Sequence, residues 1–478
     1  MPKPKTIKEL KESRYKVLSV KDEIRKNLIS RLKEKRELFP GIIGYEHTVI
    51  PQIENAILSK HDLLLLGLRG QAKTRLLRSL TQLLDPEIPI IKGCEINDNP
   101  YHPVCKTCHD TVKEHGDYTE IAWLSREDRY REKLATPDVT VADLIGEIDL
   151  IKVAEGRYLS NETTMHFGLI PRTNRGIFAI NELPDLSQKI QVSLFNILQE
   201  RDIQIRGYPI RLSLDVMIVC SANPEDYTNR GRIVTPLKDR IGSVVTTHYP
   251  LTREDGIEII EQNAWIDRED GIDLFVPRFM KEITEEISHI ARASQEINQS
   301  SGVSARMSIG NYEVLISNAE RRAIKTGEAF AVPRISDLRH ICTASRGKIE
   351  LDPTIDENQD DDVIRKITRE AVLKIFNQYF SIDAFQNEIK MLSDRTYLVS
   401  DSISSDEYLK ILSQDKEITG MIHALQAEMN DGTTEKETAP QISASLIEFL
   451  LEGLHANKKL NKDVCQGHVV YKRKRIEL

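Results

Sequence analysis

The sequence predicts an α/β fold, with a parallel sheet covered by helices on both faces and an all-helical portion after it in the chain. Between about residues 41 and 250, short apolar segments alternate with longer helical patterns, as βαβ units require. After the segment "HYPLTREDG" the strand-like pattern stops, and helical patterns continue from residue 251 to 350. At 478 residues the chain is long enough for about three compact units.

Three apolar segments are the predicted buried strands of this sheet: "DLLLLG", "GIFAI" and "DVMIVCSAN". The predicted helices among them include "KTRLLRSLTQLL" and "LSQKIQVSLFNILQE". Three further patterns predict the helices of the all-α portion: "DGIEIIEQN", "FMKEITEEISHIARASQEI" and "IGNYEVLISNAERRAIKTG". We expect breaks in this portion at Gly302, Pro333 and Gly347.

Changes of composition predict four segments along the chain. They are a basic helical N-terminal segment over 1–40, an α/β domain over 41–250, a helical lid domain over 251–350 and a helical C-terminal region over 351–478. Residues 1–36 carry 13 Lys and Arg against 5 Asp and Glu, within a predicted helix over 5–36. A solvated helix face accounts for this charge, and docking or nucleic-acid binding is the alternative.

Composition excludes several classes of protein. The chain is 40% hydrophobic and 29% charged, and its longest apolar runs are far shorter than a bilayer span, which disfavours a membrane protein. A net charge of −8 disfavours a globally basic nucleic-acid binder. The first residues show no secretion signal, so we expect a cytoplasmic protein with six reduced cysteines.

The segment "GLRGQAKTR", residues 67–75, has the spacing of a phosphate-binding loop. In such a loop, backbone N–H groups and a helix N-terminus surround the phosphates. The predicted strand precedes Gly67, and Gly70 supplies a second flexible point. Lys73 stands where the β- and γ-phosphates of ATP would lie, and Thr74 can offer its hydroxyl to Mg²⁺. Ala72 departs from the pattern, which has glycine there. Either this position needs a positive φ, where alanine costs about 1 kcal/mol or more over glycine, or it has an ordinary helical conformation.

An acidic position follows the second predicted strand, "GIFAI". Hydrolytic ATPases with this loop usually carry Asp-Glu there, and this chain has Asn181 and Glu182. Glu182 is at the position that polarises the attacking water. Asn181 replaces the carboxylate that holds Mg²⁺ through water, so we expect weaker metal binding and a lower rate of hydrolysis.

Three more polar residues complete the set that ATP chemistry needs. Asn223 ends the strand "VMIVCSAN" and can align water with the γ-phosphate. Arg240, in "TPLKDRIGS", can supply a cation from a neighbouring subunit, and Arg306, in "GVSARMSIG", can lie over the phosphates as a lid arginine. Because the elements occur in the required order at strand ends and helix starts, the sequence predicts ATP binding.

Residues 40–350 resemble the AAA+ ATPase subunit of magnesium chelatase and its MoxR-type relatives. The resemblance is carried by "TVADLIGEIDL", "RGIFAINELPDLSQKIQVSLFNILQERDIQIRGYPIRL", "SANPED" and "TPLKDRIGS". It implies a ring-forming ATPase, a hexamer, in which ATP lies between subunits and the inserts 138–175 and 201–212 transmit motion. Such proteins remodel partners that carry an integrin-type (von Willebrand A-like) domain, or drive metal insertion into a porphyrin.

The resemblance assigns roles to individual residues. Gly67, Gly70, Lys73 and Thr74 form the phosphate loop. Asn181 and Glu182 form the metal and water site. Asn223 becomes the first sensor, Arg240 the arginine finger and Arg306 the second sensor, with Glu182, Lys73 and Arg240 as the catalytic set.

A cluster of cysteines lies in "CEINDNPYHPVCKTCHD", with Cys94, Cys105 and Cys108. Thiolates two residues apart can share a tetrahedral Zn²⁺, with Cys94 and a histidine, His102 or His109, completing four ligands. Reduced thiols without metal are the alternative, and a redox pair is a third interpretation. A zinc ion here would be structural.

Two other functions remain open beside the ATP-driven motor. One is a nucleotide-sensing scaffold that hydrolyses ATP weakly because of Asn181. The other is a transcription-activator ATPase, since enhancer-binding activators share this core. The sequence has no Gly-Ala-Phe-Thr-Gly-Ala loop and no clear helix-turn-helix pattern, which disfavours the activator.

Overall fold

The fold is taken from a computed structural model that describes most of the chain. The described residues are 3–148, 165–204, 211–224, 232–268, 272–328, 330–354, 359–392, 395–400, 402–429, 440–465 and 468–473. The chain forms two compact units, Met1–His248 and Tyr249–Leu478. The finer division into four segments stays a prediction.

The strands number fourteen in the part of the chain that is described. In chain order they are β1 Leu63–Leu66, β2 Glu87–Ile91, β3 Ile121–Ser125, β4 Tyr130–Leu134, β5 Gly146–Ile148, β6 Met165–Phe167, β7 Gly176–Asn181, β8 Asp202–Gln204, β9 Arg211–Ser213, β10 Val216–Ala222, β11 Ser243–Thr246, β12 Tyr397–Val399, β13 Leu460–Cys465 and β14 His468–Arg473.

The described α-helices fall into the same two units. In the first unit they are Ile7–Glu12, Val20–Lys33, Val49–Leu58, Lys73–Ser79, Lys106–His115, Val141–Leu144, Gln188–Ser193, Phe195–Gln199 and Thr235–Arg240. In the second they are Arg253–Asn263, Arg278–Ala293, Ala305–Thr326, Cys342–Ser345, Asp360–Tyr379, Gln386–Leu392, Ser405–Gln414, Lys416–Met429 and Pro440–Ala456.

The first unit is built on a five-stranded sheet in the order β11-β1-β10-β7-β4. All four strand pairs are parallel, which confirms the predicted α/β class. Strands β7 and β10 are buried along their whole length, because helices cover both faces of the sheet. Since the strands are parallel, the carboxyl ends of β1, β7 and β10 meet at one edge of the sheet. The predicted phosphate loop follows β1, Asn181 is the last residue of β7, and Asn223 follows β10.

The N-terminal region contains two helices, so the prediction of one helix over 5–36 was wrong. The first ends at Glu12, and Ser19 begins the second by accepting a hydrogen bond from the Asp22 N–H. One face of the second helix carries Val20, Ile24 and Leu28, which are buried with β1 in the same hydrophobic cluster. The positive charges therefore lie on a helix that belongs to the core of the first unit.

A buried ion pair attaches this second helix to the sheet. The Arg129 guanidinium donates to both carboxylate oxygens of Glu23, at 2.7 and 2.6 Å, and to the Arg175 carbonyl at 2.8 Å. Both side chains are almost completely buried. The residue Arg129 immediately precedes β4, so the pair fixes the helix against the edge of the sheet.

The second unit is mainly helical and has one large hydrophobic core. Its helices before and after residue 350 share this core, in which the Phe279 and Phe449 rings stack at 4.4 Å between centroids. The structure adds a small antiparallel sheet, β12-β14-β13, that the sequence analysis missed. The helical character predicted for the chain after residue 251 is otherwise confirmed among the described residues.

None of the described helices combines the length and apolar character that a membrane crossing demands. Two predicted features fall partly outside the described residues. In the insert 138–175, residues 149–164 are outside the described part of the chain. In the hairpin-like insert 201–212, residues 205–210 are outside it. On either side of the second gap, β8 and β9 pair antiparallel, as a hairpin requires.

Candidate nucleotide-binding site

The segment 67–75 connects the end of β1 to the helix Lys73–Ser79, as predicted. At its start, the Gly67 N–H donates to the Ala222 carbonyl at 3.1 Å, which joins the loop to the end of β10. A β-carbon at Gly67 would overlap the Thr247 hydroxyl and the Gln71 side-chain oxygen. Those two groups are hydrogen-bonded to each other at 2.7 Å. Glycine is therefore required at position 67 by close packing.

Two residues of the loop have left-handed backbone conformations. Gly70 has φ of +75°, which glycine adopts without strain. Ala72 has φ of +55° and ψ of +15°, so of the two conformations considered for it the left-handed one is present and the ordinary helical one is not. The turn into the helix needs a left-handed residue at this position, and alanine meets that need at a cost in strain.

Lys73 lies at the first position of the helix, and its side chain is buried under the loop. Its ammonium group donates to the Gly67 carbonyl and, at 2.9 Å, to the Leu68 carbonyl. A cation held by the carbonyls of a phosphate loop has its charge inside the concave side of that loop. This is the place where an ATP phosphate would meet it.

The side chains of Thr74, on the helix after β1, and Asn181, at the end of β7, lie close together. The Thr74 hydroxyl lies 3.4 Å from the Asn181 amide oxygen. Asn181 is the last residue of β7, and the Ser221 hydroxyl of β10 donates to the same oxygen at 3.2 Å. A hydroxyl and an amide oxygen at one point are ligands that Mg²⁺ accepts, directly or through water. The residues present therefore fit a magnesium ion, without the usual negative charge.

Glu182 follows β7 in a left-handed conformation, with φ of +56°. Its backbone N–H donates to the Ser221 hydroxyl at 3.3 Å. Ser221 therefore holds both members of the Asn181–Glu182 pair, and the sequence analysis did not single it out. The feature of the sequence that could have identified Ser221 is its position in "IVCSAN", two residues before Asn223.

Asn223 follows the end of β10, beside β7. Its side-chain oxygen is buried, and among the described residues it has no hydrogen-bond partner. A buried acceptor without a partner costs free energy, about 1–3 kcal/mol. A bound water or ligand donor at this edge of the sheet would remove that cost, as expected of a residue that aligns water.

Arg240 is the last residue of the helix Thr235–Arg240. It donates to the Gln199 side chain at 3.1 Å and to the Pro236 carbonyl at 2.8 Å, and it lies 4.7 Å from the Phe195 ring centroid. These contacts are outside the loop 67–75. They leave its role as a cation for a neighbouring subunit a prediction.

Arg306 lies in the first turn of the helix Ala305–Thr326, where Ser304 accepts from its backbone N–H at 3.1 Å. Its side chain is exposed. The residue belongs to the second unit, so its role as a lid arginine stays a prediction.

The predicted cysteine cluster is a second candidate site in the first unit. Cys94, Cys105 and Cys108 come together, and the fourth group is Asp98, while neither His102 nor His109 belongs to the cluster. Hydrogen bonds from Cys105 and Cys108 lower the pKa of Cys94 to about 3. Burial raises the pKa of Asp98 to about 6, and the nearby Cys94 charge adds to that rise.

The sequence model of the sigma-54 interaction domain matches residues 138–245. A magnesium-chelatase subunit ChlI homolog of Methanocaldococcus jannaschii is 26% identical over 270 residues, which cover 55% of this chain and 68% of that protein. The hydrogenase transcriptional regulatory protein HoxA of Cupriavidus necator is 32% identical over 93 residues, 19% of each chain.

Among solved structures, the complex between subunits BchI and BchD of magnesium chelatase is similar to this chain. The likeness covers 67% of this chain and 98% of that one, at 20% identity and a TM-score of 0.36. The parallel sheet, the loop after β1 and the sequence matches are similar to those of the AAA+ class of ATPases. Within that class the chain is similar in sequence to the magnesium chelatase type, as the residues quoted above had indicated.

Proposed function

We propose that this chain hydrolyses ATP and works as a ring-forming motor that remodels a partner protein or drives insertion of a metal into a cofactor. The observation that carries the proposal is the meeting of Thr74 and Asn181 beside Glu182, at the end of the loop that holds Lys73. These groups come from two elements that are far apart in the sequence, the helix Lys73–Ser79 and the end of β7. Their convergence at one sheet edge is what phosphate binding and water activation need.

Different residues of this chain bind the phosphates, position the attacking water and supply positive charge. The backbone of 67–73 and the Lys73 ammonium hold and neutralise the phosphates of ATP. Glu182 accepts hydrogen bonding from the attacking water, and Asn223 aligns that water with the γ-phosphate. Arg240 of an adjacent subunit adds positive charge as phosphate leaves, so that turnover requires the ring.

Magnesium would be held by Thr74 and Asn181, and when bound it neutralises phosphate charge. Asn181 contributes a neutral oxygen, so the metal site of this chain is weaker than one with a carboxylate. The buried Lys73 ammonium at the loop 67–75 and the family resemblance support the assignment of ATP and Mg²⁺ as cofactors. We propose a hexamer, a cytoplasmic location and a partner with a von Willebrand A-like domain on the basis of the family resemblance.

An assay of phosphate release from ATP tests the proposal. Glu182→Gln should lose nearly all turnover and still bind nucleotide, whereas Lys73→Ala should lose nucleotide binding as well. Glu127→Gln and Lys189→Ala are matched controls, because both side chains are exposed on the first unit and lie outside the site. Full turnover by both Glu182→Gln and Lys73→Ala would show that the site is elsewhere.

A nucleotide-sensing scaffold is the second candidate, and the neutral side chain of Asn181 favours it. In that case ATP binding, and not its hydrolysis, would change the chain's interactions. Wild-type protein would then bind ATP tightly and release phosphate no faster than Glu182→Gln does.

A transcription-activator ATPase is the third candidate. It is favoured by the match to the sigma-54 interaction domain at residues 138–245 and by the similarity to HoxA. The distinguishing measurement is ATP-dependent binding to RNA polymerase containing sigma-54. Binding of that polymerase in the presence of a transition-state analogue of ATP would favour the activator over the motor.

A further inference from the structure

The cysteine cluster of the first unit has the geometry of a metal site. One ligand atom from each of Cys94, Asp98, Cys105 and Cys108 lies within 4.8 Å of all the others. In a tetrahedral zinc site with Zn–S bonds of about 2.3 Å, the sulfur atoms are about 3.8 Å apart. The four side chains are therefore close to the spacing of one tetrahedral ion before any ion is present.

Asp98 supplies the independent observation that points to a ligand. Its side chain is fully buried, and one carboxylate oxygen accepts from the backbone N–H groups of Val104 and Cys105, at 3.1 and 2.8 Å. The other oxygen, Oδ1, is buried and lacks a hydrogen-bond partner among the described residues. A buried carboxylate oxygen without a donor is costly, and a cation at the cluster would remove this cost.

The backbone is arranged to stabilise thiolates. The Asp98 N–H donates to the Cys94 sulfur at 3.3 Å, and the Cys108 N–H donates to the Cys105 sulfur at 3.4 Å. Cys105 is also the N-cap of the helix Lys106–His115, where the helix dipole favours negative charge. Thiolate, and not thiol, is the form that binds metal.

We infer that Cys94, Asp98, Cys105 and Cys108 bind one tetrahedral zinc ion, with Asp98 Oδ1 as the fourth ligand. Three sulfur ligands select zinc over magnesium and calcium, which take oxygen ligands. With four protein ligands the site has no open position, so its zinc is structural. No electron transfer or bond cleavage takes place there.

The zinc ion would stabilise the segment that attaches to the start of β7. The Asn97 side-chain amide donates to the Arg172 carbonyl at 3.0 Å, and the Asn174 amide donates back to the Ile96 carbonyl at 3.0 Å. Both bonds join the metal-binding turn to the residues before β7. The opposite end of β7 carries Asn181 and Glu182, so the zinc site supports the strand without touching ATP.

The test is the metal content of protein purified with reducing agent and without chelators, followed by replacement with Co²⁺. We expect one zinc per chain, and after replacement the strong visible absorption of Co²⁺ in a tetrahedral thiolate site. Cys108→Ser should lose the zinc, and Asp98→Ala should weaken zinc binding at least about tenfold. Asp98→Cys, which offers a fourth thiolate, should bind zinc at least as tightly as wild type.

Two control variants remove side chains that are not expected to bind zinc. Cys342→Ser removes a buried free thiol of the second unit, and Asp110→Ala removes an exposed carboxylate of the same helix as Cys108. Both should keep one zinc per chain. If Asp98→Ala binds zinc as tightly as wild type, Asp98 is not a ligand. Wild-type protein with no zinc, or with a Cys105–Cys108 disulfide, overturns the site altogether. Because the readout is metal content, failure of this inference leaves the ATPase proposal unaffected.

Discussion

The hydroxyl of Thr74 lies 3.4 Å from the amide oxygen of Asn181, although the two residues are 107 positions apart in the chain. Thr74 is the second residue of the helix after β1, and Asn181 ends β7, which is separated from β1 by β10. The parallel arrangement brings both to the same edge of the sheet. The first prediction concerns this pair.

Asn181→Asp should strengthen metal binding and raise turnover, because a carboxylate adds negative charge beside a dication. We expect the Mg²⁺ concentration for half-maximal activity to fall about tenfold, which corresponds to about 1.4 kcal/mol. Without Mg²⁺ the variant should unfold at a lower temperature than wild type, because the new charge is buried.

Two measurements check this prediction: a Mg²⁺ titration of phosphate release and a thermal unfolding scan with and without Mg-ATP. Asn196→Asp is the control, since Asn196 is exposed on the helix Phe195–Gln199. It should leave both measurements unchanged. An unaltered Mg²⁺ dependence in Asn181→Asp would mean that Asn181 is not near the metal.

Ala72→Gly should stabilise the first unit, because Ala72 has φ of +55° and glycine takes this conformation without strain. We expect a gain of about 1 kcal/mol in the free energy of unfolding. Denaturant unfolding followed by fluorescence of Trp123 measures it, in a Trp265→Phe background that removes the other tryptophan. Ala142→Gly, inside the helix Val141–Leu144, should instead lose about 0.5–1 kcal/mol. Equal effects of the two substitutions would contradict the strained conformation of Ala72.

Lys73→Ala and Arg240→Ala should each abolish turnover alone and partly restore it when mixed. If Arg240 acts on the ATP of the adjacent subunit, a mixed ring pairs the intact loop of one variant with the intact arginine of the other. Phosphate release by each protein and by their mixture is the measurement. Arg131→Ala is the control for surface charge, and it should be fully active alone. No recovery in mixtures shown to exchange subunits would place Arg240 outside the active site.

Glu23→Gln should destabilise the first unit by about 3–5 kcal/mol, because it leaves the buried Arg129 guanidinium without its counter-charge. The double variant Glu23→Leu/Arg129→Met should lose less than the single one, since no buried charge is left unpaired. Denaturant unfolding followed by Trp123 fluorescence measures both. Arg131→Met, an exposed residue of β4, serves as the control and should change stability by less than about 0.5 kcal/mol. A double variant less stable than Glu23→Gln would show that the ion pair itself is net stabilising.

Local patterns in the sequence were sufficient to predict much of the fold. The apolar runs that became β1, β7 and β10 lie next to their turn and helix signals, so strand, loop and helix follow from neighbours in the chain. The small sheet β12-β14-β13 was missed, because polar and apolar residues do not alternate regularly along β13 and β14. The break in the first helix depended on a cap at Ser19 that periodicity alone did not reveal.

Residue types and their order were enough to predict the phosphate loop, the polar residues after the strands and the clustering of three cysteines. Three other points depend on the folded chain. The tertiary structure placed Ala72 in a left-handed conformation, since backbone angles depend on the turn into the helix. It placed Ser221 between Asn181 and Glu182. It also selected Asp98, and not a histidine, as the fourth member of the cysteine cluster. Ligand geometry depends on distances between side chains after folding, and residue spacing along the chain does not fix those distances.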